Sequence, residues 1–459
     1  MKRLLAALLM LLTMTACSQQ AVIPMPAPQT EQTPAIHQPV EEIPALEVTP
    51  APEQPPGPVR SPEADLYKAD AEYLVALVEE THPCFALDDV SAEYAPAKEK
   101  LLAECEYAVD QDTFARLCQQ YLVSLRDAHT TLFDTGLPST GSRFERLNLT
   151  GLVEGDTFYL TDSADNLTGE TLVAVNDIPV TDLFSIVDAH YVAENQAARE
   201  RNRGYYSLAE YFMAMAGIDC LNPIYVTKEK DGLQKTELVG RTDHPVFQKA
   251  SFVADSKILQ DDVFYIDFNS CTLCPQLDDV CAKLEKAVAG GICKVIIDVR
   301  DNGGGYSSAC RQLLDTLDMT VPHYGCYTHV SPLYTQHYPD RPQESYTVER
   351  DPSAAVQSPD VELVVLVNQN TFSSANMLAV WVQDGNLGAI VGRPYWNNPS
   401  SYGDNLHYTL PNTRLEGNLS HRLWLRPDAT ADQKTLWPDI QTELGEDALE
   451  TALAYLKNK

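Results

Sequence analysis

The chain has 459 residues and a formal charge of −32, with 44% hydrophobic and 21% charged residues. That balance is ordinary for a folded body and excludes wholesale disorder. So large an acidic excess excludes a nucleic-acid partner, whose affinity comes mostly from Lys and Arg on phosphate, and the lack of long apolar runs beyond the N-terminus excludes a polytopic membrane protein.

Lys2 and Arg3 precede the short apolar run Leu4 to Leu12. The pattern predicts an export signal over residues 1–16, too short to span a bilayer. Met14-Thr15-Ala16-Cys17 resembles a bacterial lipobox, which implies cleavage before Cys17 and lipidation of its thiol. Lipid chains would hold the protein to a membrane face without spanning it. Eleven of the 30 prolines lie between Pro24 and Pro58, so residues 17–60 read as an extended Pro-rich tether.

Residues 62–140 read as a helical N-terminal domain. Leu66, Ala69, Tyr73, Leu74 and Leu77 keep helical spacing up to His82-Pro83, and Phe114 to Leu125 repeat it. Residues 141–250 read as a mixed α+β subdomain, with strands at Phe158 to Leu160 and Leu172 to Val175 and helix over residues 187–216. From residue 251 to 459 strands and helices alternate, with Val263 to Phe268, Val295 to Ile297, Val361 to Val367 and Ala389 to Val391 as strands. Such alternation predicts crossover units and a largely parallel sheet, hence an α/β core.

In an open parallel sheet, ligands bind beyond the carboxyl ends of the strands. Two loops reach that edge. One carries Asn302 and Gly303-Gly304-Gly305; the other runs from Asn368 to Asn376 and contains Ser373 and Ser374. A Ser at a helix start has free backbone N–H groups around it, a setting that suits an oxyanion. The same Ser is most often only a helix cap. The ten cysteines after Cys17 decide little. Cys271 and Cys274 form a lone CxxC without a second pair at zinc spacing, so no metal or cofactor is expected.

Asp298-Val299-Arg300-Asp301-Asn302-Gly303-Gly304-Gly305 resembles the glycine loop of the tail-specific proteases, also called C-terminal processing peptidases. Thr371-Phe372-Ser373-Ser374-Ala375-Asn376-Met377-Leu378-Ala379 resembles their nucleophile segment, with Asn376 where the family has Glu. Asp127-Ala128-His129-Thr130 resembles the D-x-H-T segment of the tricorn-core and retinoid-binding-protein-like branch.

The resemblance spans about residues 62–445 and implies a ClpP/crotonase-like core and acyl-enzyme cleavage of peptides or proteins. It implies Ser373 as nucleophile, and an oxyanion hole from the Ser374 N–H with Gly303 or Gly304. The lysine base of the Ser–Lys branch is absent, since its position holds Asn398. His129 is then the implied base, its ordinary pKa lying near working pH. Pro438-Asp439-Ile440 matches a segment that follows the orienting acid, which points to Asp432, with Asp428 as the alternative. A silent relative that binds peptides or another ligand is the competing reading, motivated by the missing Lys and by Asn376. An aspartic-peptidase reading of Asp134-Thr135-Gly136 needs a second such carboxylate, and the chain has no second motif.

Overall fold

The computed structural model describes residues 59–139, 142–163, 166–244, 250–358 and 360–459. The leader, Cys17 and nearly all of the tether lie outside the described residues. Among those described, no helix is long and apolar enough to cross a membrane.

The helices Ala64–Thr81, Tyr94–Glu104 and Gln111–Val123 form where apolar residues recur at helical spacing. The Asp110 side chain caps the third by accepting from the Thr113 N–H. Tyr67, Leu74, Val78, Phe114, Cys118 and Leu122 turn inward, and Tyr67 stacks on Phe114. Their core continues into Leu132, Tyr408, Leu410, Leu415 and Leu419. The helical layer is therefore seated on an antiparallel sheet whose long strands are Ser401–Thr409 and Glu416–Leu425. The short strand Thr131–Leu132 pairs with the second of these, Thr131 opposite Asn418. That pairing fixes residues 127–130, immediately upstream.

Residues 150–239 build a separate antiparallel sheet from Thr150–Glu154, Thr157–Thr161, Leu167–Val175, Ile224–Lys230 and Leu233–Val239. The helices Val180–Asp188 and Gln196–Tyr206 accompany it. The sequence reading places one helix over residues 187–216. The chain instead leaves the helical state after Asp188 and re-enters at Gln196, where the Asn195 side chain caps by accepting from the Ala198 N–H.

The third layer holds the α/β core. Val263–Phe268, Lys294–Asp298, Glu362–Val367, Ala389–Gly392 and Ile440–Gln441 run parallel, and Ala254–Leu259 adds antiparallel at one edge. Ile297 lies opposite Val365, so the two loops at their carboxyl ends emerge side by side. The buried apolar runs Val295 to Ile297 and Leu363 to Val367 need cover on both faces. Pro275–Ala289, Ser307–Thr316 and Ser374–Asp384 supply it on one face, and Ala448–Lys457 on the other.

Candidate active site

The strand Glu362–Val367 ends in a tight loop that is tied to the neighbouring strand's loop. Thr371 Oγ1 donates to the Val299 carbonyl at 2.9 Å, and the Phe372 N–H to the Asn302 carbonyl at 3.0 Å. The chain then turns sharply at Ser373, at φ 54° and ψ −120°, before the helix Ser374–Asp384 begins. A non-glycine residue there carries strain of ~1–3 kcal/mol, which persists only where the surroundings enforce it. The enforcing contact is Asn397, whose Oδ1 accepts the Ser373 N–H at 2.8 Å. Ser373 occupies the cap position but makes no side-chain cap bond. Its hydroxyl faces His129 instead, with Oγ to Nε2 at 3.2 Å.

His129 reaches this point from the loop after Gln111–Val123. Asp127 organises that loop from within. Its Oδ1 accepts the His129 N–H at 2.9 Å, and its Oδ2 accepts Thr130 Oγ1 at 2.5 Å and His82 Nε2 at 3.2 Å. His82 Nδ1 accepts from the Cys84 N–H, which leaves Nε2 as the nitrogen that donates. Burial would raise the Asp127 carboxyl. The His82 hydrogen bond and ring outweigh it, with help from His129 and Ser420, and hold the group well below the usual carboxylate range.

The His129 ring stacks on Phe372 at 4.6 Å. Its buried Nδ1 makes no hydrogen bond of standard geometry among the described residues, although the Tyr402 carbonyl lies near the ring and Asp127 Oδ1 stands 3.8 Å away. Burial lowers the His129 pKa against the opposing pull of Asp127, Asp404 and the Tyr402 carbonyl. The ring is thus neutral at neutral pH.

Glu194, in the segment between the two helices of the middle region, joins both loops. Oε1 accepts the Ala128 N–H at 3.0 Å; Oε2 accepts Asn397 Nδ2 at 2.9 Å and the Asn398 N–H at 2.8 Å. Asn397 Oδ1 also accepts Asn376 Nδ2 at 3.1 Å, and Tyr395 donates its hydroxyl to Asn376 Oδ1. Burial, aided by the Asp127 charge, raises the Glu194 carboxyl to about 7 against its donors.

The glycine loop crosses close beside Ser373. Gly304 sits at φ 92°, and a Cβ there would lie 2.6 Å from Ser373 Cβ. Only glycine fits. Its N–H is nevertheless engaged, donating to Asn302 Oδ1 at 2.9 Å, so Gly304 supplies the close approach and not an oxyanion donor. Gly303 faces open space. The Ser374 N–H opens a helix and has no intrahelical acceptor. Ser374 Oγ ties the glycine loop to this helix through the Gly305 carbonyl at 2.7 Å.

The predicted acids are not brought to His129. Asp428 Oδ1 accepts from the Thr430 N–H and hydroxyl, and Asp432 accepts from the Lys434 and Thr435 N–H groups and from Trp437 Nε1. Both carboxylates close their own turns, a segment fixed by the buried Arg426–Asp384 ion pair. Three acids stand near His129: the oxygens of Asp127 and Glu194 lie within 4.8 Å of a His129 ring nitrogen and of each other, and Asp404, paired with Arg422, adds its charge. Those oxygens already accept hydrogen bonds from protein donors. Asp127 was legible inside the D-A-H-T match; Glu194 has no motif. Asp134, of the aspartic-peptidase reading, is exposed and sits at positive φ.

Cavities of about 560 Å³ and 300 Å³ adjoin the pair. The larger exposes Ala128, Gly303 and Trp396. The smaller exposes His129, Ser373, Met377 and Trp424.

No curated protein matches the chain. Among solved structures, mature CPAF complexed with lactacystin superposes with a TM-score of 0.58 at 14% identity, over 86% of this chain and 97% of that one. Mature CPAF superposes with a TM-score of 0.57 at 14% identity, over 86% and 96%. The likeness is one of fold, and the parallel sheet with its flanking helices is a ClpP/crotonase-like core. Residues 262–442 match the model of Peptidase family S41, and that match supports a serine-type peptidase.

Proposed function

We propose that this chain is an exported, lipid-anchored serine endopeptidase of the His branch, in which His129 takes the Ser373 proton. The observation that carries the reading is the 3.2 Å contact between His129 Nε2 and Ser373 Oγ. A hydroxyl is a weak nucleophile without a base, and the neutral imidazole supplies one. As Ser373 Oγ attacks a peptide carbonyl, its proton passes to Nε2. The anionic Asp127 then faces the resulting imidazolium across 3.8 Å. The carbonyl oxygen becomes an oxyanion between the Gly303 and Ser374 N–H groups. Return of the proton from Nε2 to the leaving amine gives the acyl-enzyme, and water activated by the same ring hydrolyses it.

The features that motivated a silent relative have other work: Asn376 holds Asn397, and Asn398 donates to Glu194. A fluorophosphonate probe tests the chemistry. Covalent labelling mapped to Ser373, abolished in Ser373→Ala, is expected; an unlabelled wild type would refute the reading. The anchor is tested separately by mass spectrometry of the mature N-terminus. A lipidated Cys17 that is lost in Cys17→Ser is expected, and a mature chain beginning elsewhere would refute it.

A further inference from the structure

Arg201 lies on the helix Gln196–Tyr206, 7% exposed, at the wall of the 560 Å³ cavity. Its guanidinium carbon lies over the Trp396 ring, 4.3 Å from the centroid, and over Tyr205 at 4.9 Å. Nε donates to Asn370 Oδ1 at 2.7 Å and Nη1 to Asn202 Oδ1 at 3.1 Å. Among the described residues Nη2 has no hydrogen-bond partner and no carboxylate reaches the group within ion-pair distance. The contrast with Arg426 is direct, since that buried guanidinium is neutralised by Asp384. Asp301 is the acid on the same wall, but its Oδ1 accepts from Asn368 and Asn370, so it meets Arg201 only through the Asn370 amide.

A buried cation without a counter-charge is costly and calls for a partner. The free edge of a guanidinium presents donors in a fork that matches a carboxylate. Here that edge borders the cavity that Gly303 and Ala128 also line, one residue from each half of the reacting centre.

We propose that this cavity is a substrate subsite in which Arg201 receives a side-chain carboxylate of the bound peptide. The enzyme then favours peptides with an acidic side chain close to the scissile bond. The proposal rests on the serine-peptidase reading and names its substrate class.

The test is a fluorogenic peptide series in which Glu and Gln are exchanged at each position flanking the cleaved bond, each peptide made with a free and an amidated C-terminus. In the wild type, kcat/KM for the acid form is expected to exceed its neutral isostere by about 10- to 100-fold at one position, the range of a charge-assisted pair. A Glu-over-Gln ratio supports the proposal, and a free-over-amidated ratio without one overturns it. Arg201→Met should collapse the ratio to about unity. Should that variant fail to fold, the wild-type ratio and its decline with added salt decide the matter. A ratio near one everywhere, or one that persists in Arg201→Met, overturns the proposal. Fluorophosphonate labelling separates the two readings: a labelled Ser373 with no acid preference removes the subsite alone. If neither labelling nor cleavage occurs, fluorescence anisotropy of the same peptides on Ser373→Ala still reads the preference.

Discussion

The two segments that meet at the site are held by different physics. Residues 368–376 are positioned by strain and direct hydrogen bonds: a left-handed Ser373 pinned by Asn397, and a glycine loop stitched down by Ser374 Oγ. Residues 126–130 are positioned by a buried charge. Asp127 gathers His82, Thr130 and the His129 N–H around itself, and the His129 Nδ1 makes no hydrogen bond of standard geometry among the described residues. Ser373 is fixed in place, whereas His129 is fixed in protonation state. Damage to the first segment should therefore abolish turnover at every pH, and damage to the second should also reshape the pH profile.

The largest effect breaks the first segment. Ser373→Ala should lower kcat by about 10⁴-fold or more while leaving the melting temperature near wild type. Ser374→Ala removes only the tie to Gly305 and should retain measurable activity. Equal losses in the two variants would show that the register of the nucleophile is wrong.

His129→Gln comes next, with a loss of about 10²- to 10⁴-fold. The sign of the pH effect follows from the ring's environment. Burial lowers the His129 pKa, so the neutral, reactive form persists below the ordinary value of ~6.5. The wild-type rate should stay flat through neutrality and fall only on acidification past that value. The glutamine variant should lose that limb. Asn398→Lys in its background should not restore the rate, because the Asn398 N–H and carbonyl are engaged with Glu194 and Asn376. Near-wild-type turnover in His129→Gln would remove His129 as the base.

How much of this was legible in the sequence follows the same division. The parallel core announces itself through buried β-branched runs between helical stripes, and Ser373 sits where such a strand ends. Its strained backbone has no sequence signature, since it depends on Asn397 arriving from a distant loop. His129 is marked by a short motif, and Asp127 stands inside that motif. Glu194 was hidden because residues 187–216 carry continuous helical spacing. The signal that could have broken that helix is Asn195, a good cap residue directly before Gln196. The strands Ser401–Thr409 and Glu416–Leu425 went unread because Gly403, Asp404, Asn405 and Gly417 interrupt their alternation. Asp432 was placed by spacing from a motif, and spacing cannot show a carboxylate that turns back to cap its own loop.

Glu194 sharpens the comparison, because it links the segments: it accepts the Ala128 N–H of one and holds Asn397, which pins Ser373 in the other. Glu194→Gln puts an amide NH₂ against N–H donors and should lower kcat by about 10- to 100-fold, with a smaller change in KM. Asn397→Ala removes the same chain of contacts, so the double variant should lose much less than the product of the two. The carboxyl is raised to about 7, against ~4.3 in an unfolded chain. The folded state holds this proton more tightly, so the stability it contributes is complete below ~4.3 and disappears as pH rises through about 7. Thermal melts from pH 4 to 8 should show that slope in the wild type and a flatter one in Glu194→Gln. Full additivity with Asn397→Ala would dissolve the link between the segments.

The smallest effect concerns the acids that lie outside both segments. Asp428 and Asp432 are held below the usual carboxylate range, the first by the Thr430 hydroxyl and N–H, the second by the Lys434 N–H and Trp437. Their charges therefore serve local turns. Asp432→Asn and Asp428→Asn should each destabilise the fold by about 0.5–1.5 kcal/mol, the net worth of such hydrogen bonds. Turnover should change by about twofold or less, with the acidic limb unmoved. Asp127→Asn offers the contrast. It removes the charge facing Nδ1 and leaves His82 Nε2–H opposite a weaker acceptor, so it should both slow the reaction and shift the limb further toward acid. If Asp432→Asn shifts that limb while Asp127→Asn leaves it in place, the carboxylate that governs His129 comes from the 428–439 loop after all, and the closed turn described here opens when substrate binds.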